Sequence, residues 1–223
     1  ISGYLLQEAF RLGLSQSTNN QIITPAVDFN KICSQNKNTI EVPLKILTIA
    51  RYNWIKGLDY LLEVANVLKK SSLNFQWSII GFGNNQENER LLYMIDKYDL
   101  KKEVVLNGKC AHSKTLNILS KTDIYVQTSI NEGFCNAVLE AQAHGVPVVA
   151  FDVGGLKENI IDKKTGWLIK PFDCLLMAET IIYISQFEPT KRENISNEAI
   201  KRVQNYFNLN DQNKAFQKFY TDY

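Results

Sequence analysis

The chain has 223 residues, 45% of them hydrophobic and 22% charged, and its 25 Lys and Arg against 23 Asp and Glu leave a formal charge of +2. Such a chain is globular and long enough to bury one large core or two small ones, which excludes disorder as its main state. A charge so close to zero leaves no basic stripe for nucleic acid or for an anionic membrane.

No apolar run approaches the roughly 20 residues that span a bilayer. The opening ISGYLLQEAFRLG starts at Ile1 and has no charged region ahead of an apolar one. It therefore reads as a fragment of a longer protein and not as a signal peptide. Residues 1–24 are expected to hold a helix and a short strand at Gln21–Thr24, and residues 25–40, from Pro25 onward, form a polar linker.

From 41 to 189 the sequence alternates two periods. Short β-branched runs at Lys45–Ala50, Phe75–Ile80, Val104–Leu106, Ile124–Gln127 and Val146–Phe151 are mostly apolar throughout, as strands covered on both faces must be. Helical spacing falls between them, at Leu58–Lys70, Glu87–Tyr98, Ser113–Ser120 and Asn136–His144. The repeat predicts an α/β domain with a doubly wound, parallel, Rossmann-like sheet and right-handed crossovers. Residues 190–223 carry two polar helices, Glu193–Tyr206 and Leu209–Tyr220, expected to pack outside the domain or to reach another one. Cys33, Cys110, Cys135 and Cys174 show no CxxC and no His at ligand spacing, so they read as free thiols of a cytoplasmic protein and not as a metal site.

Ligands of open parallel sheets bind beyond the carboxyl ends of the strands, which directs attention to four loops. The first, RYNWIKG, sets Arg51 and Lys56 just before a helix, a pattern suited to phosphate or to a plain basic turn. The second, Gly81-Phe82-Gly83, starts like a dinucleotide fingerprint, but Gln86 replaces the third glycine, so a tight turn against a neighbouring loop explains it as well. In the third, Glu132 and Glu140 stand eight positions apart around a helix start whose amides at Phe134, Cys135 and Asn136 are open to an anion or a hydroxyl. An early-helix carboxylate can accept both hydrogen bonds of a vicinal diol, or simply offset the helix dipole. The fourth pairs Gly154 with Gly155, where another group can approach the backbone. His112 has no evident partner in sequence, and His144, before Gly145, reads as a helix C-terminal dipole partner.

The string NEGFCNAVLEAQAHGVPVVAFDVGGLKENI, followed by TGWLIKP, resembles the donor-binding half of retaining GT-B glycosyltransferases of the large family 4. That family's signature is E-G-F-G-x4-E-A-x-A-x-G-x-P-V, then G-G and an acidic residue. RYNWIKG falls where the family carries its Arg and Lys, and ITPAVD looks like its interdomain segment, so the likeness runs from about Ile23 to Pro171.

The resemblance implies a C-terminal GT-B half that binds a nucleoside diphosphate sugar. It assigns Arg51 and Lys56 to the diphosphate and Glu140 to the ribose. Glu132, Gly133 and the amides of Phe134, Cys135 and Asn136 go to the transferred sugar, with Gly83, Lys109, Cys110 and Ala111 at the nucleotide. It implies no cofactor and no metal, and no D-x-D is present to hold one. A saccharide or lipid-linked acceptor and a catalytic His would come from an N-terminal half that this chain lacks, with the full-length enzyme at the inner face of a membrane. Ala50 and Cys135 depart from the family, standing where it often has Gly. A dinucleotide oxidoreductase, a noncatalytic nucleotide-sugar-binding module and a GT-B epimerase or phosphorylase are the competing readings.

Overall fold

The computed structural model describes residues 2–14, 21–32 and 39–221. Six strands form one parallel sheet: β1 (Leu44–Ile49), β2 (Phe75–Ile80), β3 (Val104–Gly108), β4 (Ile124–Gln127), β5 (Val148–Phe151) and β6 (Trp167–Ile169). Their order is β3-β2-β1-β4-β5-β6. The chain therefore winds outward from β1 in one direction and then, after β3, in the other. The sheet's topological switch point falls between β1 and β4, where a crevice opens beyond the carboxyl ends.

Alternation along the strands divides the core. Ile46, Trp77, Ile79, Val126, Val149 and Phe151 face one side, against α2 (Leu58–Lys70), α3 (Asn85–Lys97) and α7 (Cys174–Ser185). Leu47, Ile80, Tyr125, Val148 and Ala150 face the other, against α4 (His112–Leu119), α5 (Asn136–Ala143) and α6 (Leu156–Asn159). Burial on both faces is why these strands are apolar at nearly every position. Trp77 is fully buried, and its indole N–H finds the Thr48 hydroxyl at 3.1 Å, the polar outlet a buried indole requires.

Several elements depart from expectation. Neither β6 nor α7 is anticipated by the strand and helix patterns. Gln21–Thr24 is not a strand, and a little further on an isolated bridge joins Val27 to Asn208. Much of the expected linker, with Cys33, lies outside the described residues. At the amino end, α1 (Gly3–Arg11) is capped by Ser2, and its first amides donate to Glu158 at 2.9 and 2.7 Å. At the other end α8 (Pro189–Tyr206) starts on a proline, earlier than its apolar spacing indicates. Val203 of α8 and Phe207 pack on Leu139 and Ala143 of α5, while α9 (Leu209–Thr221) lies by the 24–27 segment through Gln212 and Thr24. No helix among the described residues is long and apolar enough to cross a membrane.

Candidate functional site

A cleft of about 470 Å³ opens at the switch point. Arg51, Lys56, Lys109, Cys110, Glu132, Phe134, Cys135, Asn136 and Glu140 line it, so nine of the twelve residues that the resemblance assigns converge. The loops that carry them are fastened to one another by backbone contacts that only glycine permits.

The loop after β1 is held at both ends. Beside β2, Tyr52 N–H donates to the Phe82 carbonyl at 2.8 Å, and a Cβ on Gly83 would lie 2.5 Å from the Tyr52 carbonyl oxygen. Gly83 therefore serves as the place where two loops touch and does not line the cleft, whereas Phe82 between the glycines does. On the β4 side, Gly57 has φ +61° and a Cβ there would sit 2.0 Å from the Thr128 carbonyl oxygen. Ile130 N–H donates to the Ile55 carbonyl at 2.7 Å, and the Thr128 hydroxyl to that of Lys56 at 3.2 Å.

That approach delivers Lys56 to Glu132. The Lys56 ammonium meets Oε1 of Glu132 at 2.5 Å, with the side chains 19% and 9% exposed. The same Oε1 accepts from the Ser129 hydroxyl at 2.9 Å and the Gln127 amide at 3.2 Å, and Gln127 in turn accepts from the Tyr125 hydroxyl at 2.8 Å. Glu132 is thus a buried, oriented carboxylate and not a solvated loop charge. Its three partners converge on one oxygen, and no described residue donates to Oε2.

The paired glycines perform the matching task behind Glu132. Gly155 N–H donates to the Glu132 carbonyl at 2.7 Å, and Cβ atoms on Gly154 and Gly155 would fall 2.1 and 2.0 Å from the carbonyl oxygens of Glu132 and Gly133. The group that approaches this backbone is the chain's own Glu132 loop.

Three expectations need correction here. The Cys135 amide is not open, because it donates to the side chain of Asn159 at 3.2 Å. Gly133 faces α1, its carbonyl accepting from Ser2 at 2.6 Å, and does not line the cleft. Ala111 caps α4 outside the lining, although its neighbours Lys109 and Cys110 are inside. Lys109 places its ammonium 5.5 Å from the centre of the Phe82 ring, a cation–π contact at the β2–β3 end of the cleft. Burial and the Glu132 charge push the Cys135 thiol up to about 12, so it is an unreactive neutral group.

His112 has a partner after all. Its Nε2 lies 2.8 Å from Oε1 of Glu140, across two helices that no sequence spacing connects. His144 does end α5, its Nδ1 2.8 Å from the Glu140 carbonyl oxygen, but burial lowers its pKa and disfavours the charged form that a dipole partner needs. Gln127 was also missed. A polar residue closing a fully buried strand was its available signal.

The fold is a Rossmann-like α/β domain built on one parallel sheet, and its structural neighbours are GT-B glycosyltransferases. Residues 31–202 match the family model described as glycosyl transferases group 1, and the chain belongs to that family. It is 27% identical over 188 residues to the putative colanic acid biosynthesis glycosyltransferase WcaL of Escherichia coli, covering 82% of this chain and 46% of that protein. The chain thus spans about half the length of this curated relative. Among solved structures, HepE of Anabaena in complex with UDP-glucose superposes with a TM-score of 0.85 at 18% identity, covering 97% of this chain and 61% of that one. The C-terminal domain of the group 1 glycosyl transferase LpcC of Francisella tularensis gives 0.71 at 20% identity, covering 82% and 99%.

Proposed function

We propose that this chain is the donor-binding half of a retaining, family 4 hexosyltransferase that passes a sugar from a nucleoside diphosphate sugar to an acceptor in surface polysaccharide or glycolipid synthesis. The observation that carries the reading is the convergence of Arg51, Lys56, Glu132 and Glu140 in one cleft at the switch point. HepE, the structural neighbour with UDP-glucose bound, and WcaL, named for colanic acid biosynthesis, support the substrate class and the pathway class.

The roles follow from charge. Arg51 and Lys56 bind the diphosphate and stabilise the negative charge that grows on it as the glycosidic bond breaks, the largest electrostatic demand of the reaction. These two cations take the place a metal would fill, and we propose no metal requirement. Glu140 accepts from the ribose hydroxyls. Glu132, fixed by three hydrogen bonds to Oε1, turns Oε2 to the sugar and favours the positive charge developing on its ring. Phe82, Lys109 and Cys110 enclose the base.

In this reading the acceptor and the surface that closes over the donor come from an N-terminal half, and residues 1–223 alone bind donor without transferring sugar. Acceptors held in a lipid layer would bring the whole enzyme to the inner membrane face. Calorimetric titration of the chain with UDP, GDP and ADP tests the reading. Saturable binding of at least one is expected, and the absence of binding by all three at millimolar concentration overturns it.

A further inference from the structure

We propose that His112 is a positioning residue that holds Glu140 in register with the two ribose hydroxyls of the nucleotide. The proposal rests on the donor-binding reading above and adds to it a residue with no role there. His112 opens α4 directly after the Lys109–Ala111 loop, and its Nε2 bonds Oε1 of Glu140 at 2.8 Å. Both side chains line the large cleft, the imidazole 59% exposed and the carboxylate 21%.

Capacity and geometry favour this role over direct ligation by His112. A carboxylate offers about four lone-pair sites. One bond from His112 leaves Oε2 and the second site on Oε1, enough for both donors of a vicinal diol. A carboxylate oxygen only accepts, so the Nε2–H of His112 is the donor of this bond.

What His112 prevents is also visible. A second cavity of about 150 Å³ lies behind the pair, bounded by Asp28, Lys31, Leu116 and Leu209 together with His112 and Glu140. The pair is the partition between the two spaces. Asp28, the other carboxylate on the small cavity, is engaged by Lys31 at 3.1 Å, so Glu140 is the acceptor that faces the imidazole. Without His112, Glu140 gains room to turn into the smaller cavity and leave the ribose.

The test is discrimination between UDP and 2′-deoxy-UDP by calorimetry, or the corresponding pair for GDP or ADP if that nucleotide binds. Wild type should prefer the ribonucleotide. His112→Ala should shrink that preference by roughly five- to tenfold, the scale of one typical hydrogen bond, while changing deoxynucleotide affinity less than about twofold. His112→Gln, whose amide nitrogen reaches about as far as Nε2, should restore most of the preference. In a Glu140→Ala background, His112→Ala should have no further effect on the ratio. An unchanged ratio in His112→Ala, equal weakening of both nucleotides, or a wild type that binds nucleotide without preferring ribose overturns the role of His112. A wild type that binds no nucleotide at all overturns the donor-binding reading itself, and this proposal with it.

Discussion

Replacing Gly57 with Ala should loosen the cleft at its hinge. At φ +61° an L residue costs about 1–2 kcal/mol. The new Cβ would also stand 2.0 Å from the Thr128 carbonyl oxygen, a backbone atom that cannot turn aside. The loops after β1 and β4 must separate, which strains the bonds from Ile130 N–H to Ile55 and from the Thr128 hydroxyl to Lys56, each worth about 0.5–1.5 kcal/mol. The sum is about 2–5 kcal/mol, a large share of the roughly 5–15 kcal/mol that holds a domain together. Gly108→Ala is the control. Its φ of +64° carries the same backbone cost, but no heavy atom lies within 4 Å of the added Cβ, so about 1–2 kcal/mol is expected. Urea unfolding should place the Gly57→Ala midpoint well below that of Gly108→Ala. Nucleotide affinity should fall only in the former, as the loop that carries Arg51 and Lys56 is drawn away from the cleft. Equal destabilisation by both changes, or a Gly57→Ala protein within about 1 kcal/mol of wild type and with full affinity, would mean that the Gly57–Thr128 contact does not hold the two loops together.

Three further outcomes follow from the site. Arg51→Ala should weaken UDP binding by about 1.5–3 kcal/mol while leaving uridine unchanged, and equal losses for nucleoside and nucleotide in calorimetry would make Arg51 structural. Glu132→Gln removes the carboxylate that occupies Lys56, so UDP should bind at least as tightly as before while UDP-sugar binds less tightly, and a parallel loss of both would count against a sugar contact. Alkylation of the folded chain near pH 8, read by peptide mass, should modify Cys110 ahead of Cys135 and Cys174, whose thiols are both pushed up to about 12, and bound nucleotide should protect Cys110. Labelling of Cys135 as fast as Cys110 would contradict its burial.

The sheet was legible wherever both faces of a strand are covered, since continuous β-branched runs bounded by turns leave few alternatives. Strand β6 escaped because its three residues, Trp167–Ile169, are too few to show a period. Helix α7 escaped for the opposite reason. Its CLLMAETIIYIS sequence is apolar on most sides, although only Met177, Ala178, Ile181 and Ile184 are buried, so the buried stripe does not stand out. Gln21–Thr24 has the composition of a strand, but composition alone does not place a segment in a sheet.

At the site, residues within one loop or on one helix were readable from spacing. The contacts between loops were not. Glu132 depends on Lys56 from the first loop and on Gly154 and Gly155 from the fourth, and the Cys135 amide is taken by Asn159, 24 residues on. His112 and Glu140 are 28 residues apart and meet only because α4 and α5 pack on the same face of the sheet. Such pairs are products of topology, and one sequence read without its fold does not contain them.

Whether the switch-point cleft holds a nucleotide donor is read most directly by backbone amide NMR of the ¹⁵N-labelled chain during titration with UDP and UDP-glucose. Saturable shifts should concentrate in residues 50–57, 109–112 and 132–140, with those of 132–136 responding more to the sugar-bearing ligand, and Arg51→Ala should move the titration to at least about tenfold higher ligand concentration. Saturable shifts centred away from the carboxyl ends of β1 and β4, or a folded spectrum unmoved by millimolar ligand, would contradict the account.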